Sequence, residues 1–250
     1  MAALVTVGTQ LALPVLLPDD ALFKNFTVGD NQELLTALTK LTNGCTLDGT
    51  AAGTQNASRN SIYLWGQGGR GKTHLLNAVC AAAGHVDLRV MYIPLRDFSD
   101  PVHISLLQGL DEYDLVCLDD IDAVTHSAPW CLALFALYNR LTDAGNARLV
   151  ISASRSTSAL DCALPDLRSR LQSSASFHLK NLDDEGRQHA LQTHAAQRGL
   201  MLEDDVAQFM VQRLSRDMHQ LMAALDSLDS ESIAQQRRLT VPFVKQTLGI

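Results

Sequence analysis

A glycine-rich segment in the first third of the chain constrains the fold more than any other feature. The segment Gly66–Thr73 reads G-Q-G-G-R-G-K-T and fits the pattern G-x-x-x-x-G-K-[ST]. The apolar run Ser61–Trp65 precedes it, and a helix-compatible segment over 72–83 follows it. Because strand, glycine loop and helix occur in the order that a phosphate-binding loop requires, we predict a nucleotide phosphate site here.

Each residue type in this loop has a predicted role. Four glycines allow backbone N–H groups to turn inward around the phosphates: Gly66, Gly68, Gly69 and Gly71. Lys72 is expected to reach the terminal phosphates, and the Thr73 hydroxyl is expected to bind a magnesium ion. Arg70 and His74 complete the predicted nucleotide-binding set.

A second motif lies further along the chain, where the apolar run Leu115–Leu118 ends in two carboxylates. We predict that Asp119 belongs to the magnesium shell with Thr73, and that Asp120 is catalytic because it orients an attacking water. The alternative is that both acids only cap the next turn, where aspartate is common. We interpret Asp122 as a solvated cap.

The order of apolar and helical segments predicts the fold class. The predicted strands are Ser61–Trp65, Leu88–Pro94, Leu115–Leu118 and Arg148–Ala153. The predicted helices run from Asp30, as N-cap, to about Leu41, and then over 72–83, 101–109, 128–144, 183–198, 203–214, 216–235 and 241–248. Continuous apolar strands alternating with helices predict an α/β fold with a parallel sheet flanked by helices. We expect an extended tail over 1–20, this α/β domain over 21–178, with 42–60 as a polar loop, and an all-helical domain over 179–250.

Composition excludes several classes of protein. The net charge of −7 argues against direct binding to DNA, which needs clustered cations. The five cysteines form no C-x-x-C pair, so neither a disulfide framework nor a zinc site is predicted. The apolar segment Met1–Leu17 lacks the basic start of a signal peptide, and no run is long enough to cross a membrane. We therefore expect a cytoplasmic protein.

Several motifs together resemble the AAA+ module of the bacterial replication initiator DnaA. They are Phe23-x-x-Phe26-x-x-Gly29-x-Asn31, the glycine loop, Asp119–Asp122 and Leu167–Leu171. The resemblance covers 21–250 and implies an AAA+ P-loop NTPase core with a small all-helical lid domain. No DNA-binding helix-turn-helix follows, as in the Hda branch of the DnaA/Hda family, which carries out regulatory inactivation of DnaA.

The resemblance also assigns roles to single residues. Arg170 matches the family's arginine finger, which acts in trans on the nucleotide of another subunit. Ser154 falls at sensor I, where DnaA has an acid, and His219 falls where the family has its sensor II arginine. A neutral histidine cannot replace a fixed cation, so weak hydrolysis by this chain is expected. The resemblance suggests ADP or another nucleoside diphosphate as the bound nucleotide, leaves the base open and leaves Mg²⁺ optional.

The tail carries a further similarity. Five of its residues resemble the Q-L-x-L-P-L peptide with which this family binds the DNA polymerase III beta sliding clamp: Gln10, Leu11, Leu13, Pro14 and Val15. An extended peptide of this kind can place its apolar side chains in a groove. Val15 departs from the usual last leucine. The alternative is that the tail packs on its own domain.

Two functions follow from these observations. The first is a negative regulator of replication initiation, which binds the sliding clamp and promotes hydrolysis of DnaA-bound ATP through Arg170. The second is a self-contained AAA+ ATPase that acts as a helicase-loading or initiator module. The sequence leaves open whether the chain is itself an enzyme, and whether it forms a homodimer or higher oligomer through the face offered to DnaA.

Overall fold

A computed structural model describes residues 21–43, 60–145 and 147–250 of the chain. The strands in these ranges are β1 (Ser61–Trp65), β2 (Val90–Pro94), β3 (Leu115–Asp119), β4 (Arg148–Ala153) and β5 (Ala175–His178). The α-helices are α1 (Gln32–Thr42), α2 (Lys72–Gly84), α3 (Ala128–Ala144), α4 (Pro165–Gln172), α5 (Asp184–Gln197), α6 (Asp204–Arg213), α7 (Met218–Gln235) and α8 (Val241–Leu248). Short 3-10 helices lie at Phe23–Asn25, Pro101–Leu107, Leu110–Glu112 and Ile121–Ala123.

The strands form one parallel sheet in the order β2-β3-β4-β1-β5. Strand β4 lies between β1 and β3. Because the three strands are parallel, the loops that follow them lie on the same side of the sheet, at the carboxyl ends of the strands. Ligands of open α/β sheets bind at such carboxyl ends. The predicted α/β class is confirmed, and the topology brings the glycine loop and the two acids together.

The central strands β1, β3 and β4 are buried on both faces. Ile62 and Leu64 of β1 pack in a cluster with α1 and α2, whereas Tyr63 packs in a second cluster with α3 and α4. Successive strand residues point to opposite faces, so both sets must be apolar. This explains the continuous apolar runs that predicted the strands.

Helices α5–α8 have a hydrophobic cluster of their own, which includes Leu191, Met210, Leu221, Leu225 and Phe243. Side-chain caps begin three of these helices: Asp183 accepts the Gly186 N–H, Asp217 accepts the His219 N–H and Thr240 accepts the Phe243 N–H. Within the described ranges, no helix is long and apolar enough to cross a membrane.

The structure differs from the sequence prediction in several local features. Strand β5 and helix α4 were not predicted. The helix predicted over 101–109 is a 3-10 helix that ends at Leu107, and a second 3-10 helix, Leu110–Glu112, begins after Gly109, which adopts a left-handed conformation with φ 70°. The N-cap of α1 is Asn31 rather than Asp30. The predicted loop over 42–60 lies largely outside the described residues, although Thr42 is the buried last residue of α1.

Candidate nucleotide-binding site

The glycine loop connects the end of β1 to the start of α2. The Gly66 N–H donates to the Ala153 carbonyl at 3.1 Å, which joins the loop to β4. Gly71 precedes α2 with φ 89°, and a Cβ there would lie 3.2 Å from the Phe26 ring. Glycine is therefore required at position 71 by both backbone conformation and space.

Gly69 brings the loop against the start of α7. Its φ is +72°, and a Cβ built on it would lie 1.8 Å from Asp217 Oδ1. Real Cβ atoms do not approach so closely, so a side chain at position 69 would have to displace the Asp217 carboxylate. The N-terminus of α7 therefore lies close against the loop.

Lys72 holds its ammonium group inside the loop. Its side chain is buried, and Nζ donates to the carbonyls of Gly66 at 3.0 Å and Gln67 at 3.3 Å. The N–H groups at the start of α2 and this cation lie together at a helix N-terminus, which is an arrangement that binds phosphate.

Asp119 is a buried acceptor for three hydroxyl groups. Thr73 Oγ1 donates to Oδ2 at 2.7 Å, Tyr92 donates to the same oxygen at 2.9 Å, and Ser152 donates to Oδ1. Burial, and next the Asp119 charge, raise the pKa of the Tyr92 hydroxyl well above its ordinary value. A threonine hydroxyl beside a carboxylate fits Mg²⁺, which takes few protein ligands and completes its shell with water and phosphate oxygens.

Asp120 lies at the end of β3 in a left-handed conformation, with φ 53° and ψ 52°. Its N–H donates to Ser152 Oγ at 2.9 Å, and its carboxylate accepts from Arg96 Nε at 2.8 Å. The Arg96 side chain is 64% exposed, so this ion pair is screened by solvent. Asp120 therefore faces the cavity beside a cation that the sequence analysis did not identify.

The interpretation of Asp122 as a solvated cap is wrong. Asp122 is half-buried, its Oδ1 accepts the Ser154 N–H at 3.0 Å, and its Oδ2 accepts from Ser154 Oγ at 2.5 Å. The carboxylate therefore fixes Ser154, the residue that the resemblance places at sensor I. The spacing D-D-x-D does not indicate this pairing, because Asp122 follows β3 whereas Ser154 follows β4.

These groups surround a cavity of about 390 Å³. One end is formed by the glycine loop together with Lys72, Thr73, Arg96, Asp120 and Ser154. The rest is lined by Asn25, Phe26, Thr27, Asn31, His74, Lys180, Leu182, Ala190, His194, Met218, His219 and Met222. The volume lies within the roughly 300–1,000 Å³ of ligand pockets, and the lining combines the phosphate loop with both polar and apolar side chains.

Two predicted nucleotide-binding side chains have specific positions in this wall. The His74 ring lies 5.8 Å from the Phe26 ring and 5.9 Å from the His194 ring, and its Nε2 lies 3.1 Å from the Leu22 carbonyl. His219 is exposed and lines the cavity near the start of α7. Both therefore border the cavity, as the prediction of binding roles requires.

The Arg70 side chain connects the loop to β5. Its guanidinium donates to the Leu179 carbonyl at 2.8 Å and contacts His178 Nε2 at 2.9 Å. Desolvation, and then the cations Arg70 and Lys180, lower the pKa of His178. Since β5 was not predicted, the sequence analysis missed His178 as a partner of the loop.

The two arginines of α4 differ in environment. Arg168 is half-buried and donates to the Cys162 carbonyl at 3.3 Å, whereas Arg170 is exposed. The Arg170 guanidinium lies 6.0 Å from the centre of the Phe135 ring. Arg170 is not among the described residues that line the cavity.

The predicted clamp-binding residues Gln10, Leu11, Leu13, Pro14 and Val15 lie outside the described residues.

The parallel sheet, the glycine loop after β1, the acids after β3 and the helices that close the cavity define an AAA+ P-loop protein. Residues 17–178 match the family model of the bacterial DnaA ATPase domain, and residues 184–248 match the model of the Hda lid domain. The chain belongs to this family of DnaA- and Hda-related AAA+ proteins.

Solved structures support the fold independently. Domain III of the replication initiation protein DnaA from Thermotoga maritima matches with TM-score 0.78 and 23% identity, over 93% of this chain and 97% of that one. AMPPCP-bound DnaA from Aquifex aeolicus matches with TM-score 0.69 and 20% identity, over 89% and 69%. The Thermotoga maritima RuvB branch migration motor matches with TM-score 0.61 and 13% identity, over 86% and 68%.

Proposed function

We propose that this chain is a DnaA-related regulator that suppresses replication initiation by promoting hydrolysis of the ATP bound to DnaA. The observation that carries the proposal is the exposure of Arg170 on α4, away from the chain's own cavity, in a protein of the DnaA and Hda family. Such an arginine is free to enter the nucleotide site of a second AAA+ subunit.

The environment of α4 supports a trans-acting role for Arg170 rather than for Arg168. Arg168 turns inward and donates to the Cys162 carbonyl, so it is part of the packing of the domain. Arg170 keeps its guanidinium in solvent and rests against Phe135, which limits its freedom before a partner binds. In related enzymes, an arginine supplied in trans accelerates hydrolysis by roughly 10³ to 10⁵ because it stabilises transition-state charge.

The chain's own nucleotide is proposed to be structural. AMPPCP binding by DnaA from Aquifex aeolicus and the phosphate-binding geometry around Lys72 support a nucleotide in this cavity. We assign ADP or another nucleoside diphosphate, with Mg²⁺ bound by Thr73 and Asp119 when it is present. The nucleotide would join α5–α8 to the sheet domain, because both line the cavity.

The partners in this proposal are DnaA and the DNA polymerase III beta sliding clamp. The tail residues Gln10–Val15 would bind the clamp as an extended peptide, which would bring the chain to newly replicated DNA. This part rests on the similarity of the tail sequence alone. Replacing Gln10 and Leu13 with alanine is expected to abolish binding to an immobilised clamp, and unchanged binding would remove this part of the proposal.

The test of the main proposal is steady-state ATP hydrolysis by DnaA in the presence of DNA-loaded clamp. The wild-type chain is expected to stimulate hydrolysis, and Arg170→Ala is expected to lose the stimulation. Arg89→Ala is a matched control, since Arg89 is also an exposed arginine but pairs with Asp114 beside the edge strand β2. Equal stimulation by all three proteins would contradict the role of Arg170.

A second candidate is a self-contained AAA+ ATPase that acts in helicase loading or initiation. It is favoured by the presence of Lys72, Thr73 and Asp120 around one cavity of one chain, with Asp119 hydrogen-bonded to Thr73. Vigorous hydrolysis by the purified chain alone, abolished by Lys72→Ala, would support it. Hydrolysis that appears only with DnaA would exclude it.

A further inference from the structure

The residue at sensor I presents no free donor to the cavity. Ser154 donates its hydroxyl proton to Asp122 Oδ2 at 2.5 Å and its backbone N–H to Asp122 Oδ1 at 3.0 Å. A serine hydroxyl has one proton, and an ionised carboxylate only accepts. Asp122 therefore accepts from both donors of Ser154, and Ser154 Oγ can act toward a ligand only as an acceptor.

Ser154 lines the end of the cavity that also contains Thr73 and Asp120. This is the end at which the loop and the acids would receive the terminal phosphate of a bound nucleotide. The oxygens of that phosphate are acceptors, so they gain nothing from an acceptor at Ser154. The nearby cation Arg96 donates its Nε–H to Asp120, so this N–H is not available to a bound ligand.

The segment that carries Ser154 is also held from the interior of the sheet. The Tyr63 hydroxyl, on β1, donates to the Arg155 carbonyl at 2.8 Å, which holds the segment after β4. Burial, and then the Asp122 charge, raise the pKa of the Tyr63 hydroxyl well above its ordinary value. The tyrosine is therefore neutral and adds no charge beside Asp122 and Ser154.

We propose that Asp122 is a specificity-determining residue, which makes this cavity favour a nucleoside diphosphate over a triphosphate by holding Ser154 as an acceptor. Asp122 is a positioning residue, since it acts through Ser154. The inference rests on the proposed binding of a nucleotide in this cavity, but it requires neither DnaA nor the clamp.

The substitution Asp122→Asn tests this reasoning with almost no change of shape. The asparagine Oδ1 still accepts the Ser154 N–H, while its Nδ2 donates to Ser154 Oγ and releases the hydroxyl proton toward the cavity. A released hydroxyl that donates to a charged phosphate oxygen is expected to raise the affinity for ATP relative to ADP by roughly 10-fold or more.

The experiment measures ATP and ADP dissociation constants by calorimetry on the full chain after bound nucleotide has been removed. Four proteins are compared: wild type, Asp122→Asn, Ser154→Ala and the double variant. The ratio of affinities is expected to shift strongly only in Asp122→Asn, because the double variant has no hydroxyl to release. Thermal unfolding of each protein checks that the fold is retained.

Two results would overturn the proposal. One is an unchanged ATP-to-ADP ratio in Asp122→Asn, and the other is an equal shift with and without the Ser154 hydroxyl, which would reflect charge alone. A wild-type chain that binds neither nucleotide would overturn both this inference and the structural nucleotide in the proposed function. If Asp122→Asn shows the expected shift in affinity but the wild-type chain does not stimulate ATP hydrolysis by DnaA, only the regulatory role is refuted.

Discussion

Replacing Gly69 with alanine tests whether α7 is held on the phosphate loop by direct contact. The new Cβ would be placed 1.8 Å from Asp217 Oδ1, at a backbone φ of +72°. The left-handed conformation costs a non-glycine residue about 1–2 kcal/mol. Displacing Asp217 also weakens the cap of α7, where Oδ1 accepts the His219 N–H, and loss of an N-cap costs about 0.5–2 kcal/mol.

Together these effects predict a loss of roughly 1.5–4 kcal/mol in the free energy of unfolding, measured by urea denaturation. Nucleotide affinity should fall as well, because the loop and α7 both border the cavity. Gly68→Ala is the matched control: a Cβ there meets no atom within 4 Å, and Gly68 is not among the positive-φ glycines. Equal losses in the two variants would refute the contact.

Two further predictions concern the loop and its neighbours. Lys72→Ala should reduce nucleotide affinity at least 100-fold in calorimetry, since it removes the cation that attracts the phosphates; retained affinity would show that binding lies elsewhere. The lowered pKa of His178 means that the folded state binds fewer protons than the unfolded state. The free energy of unfolding should therefore fall as the pH decreases through and below the ordinary value of 6.5. His178→Gln should flatten this decrease in urea denaturation between pH 7 and 5.5, and an unchanged slope would contradict the assignment.

Most of the sheet could be predicted because β1, β3 and β4 are buried on both faces and appear as apolar runs, and the half-buried strand β2 is apolar as well. Strand β5 lies at the edge of the sheet and alternates half-buried with exposed residues over only four positions, Ala175–His178. Such a short segment has no distinct pattern. Helix α4 is also short, with only Leu167 and Leu171 buried.

The phosphate loop could be predicted because its chemistry is local in sequence. Other parts of the site depend on contacts between distant segments, such as Gly69 with Asp217 and Asp122 with Ser154. Arg96 follows β2 and reaches Asp120 only because β2 and β3 are neighbours in the sheet. No spacing in one sequence indicates these pairs, since the strand order that brings them together is a property of the fold.

Arg170 is proposed to act on the nucleotide of another protein. The most direct measurement is single-turnover hydrolysis of radiolabelled ATP preloaded on DnaA, with DNA-loaded clamp and an excess of this chain carrying unlabelled ADP. The wild-type chain should accelerate the turnover strongly. Arg170→Lys should retain little of this acceleration, because lysine lacks the planar guanidinium, and Arg170→Ala should retain none. Full acceleration by Arg170→Ala would contradict a trans-acting role for Arg170.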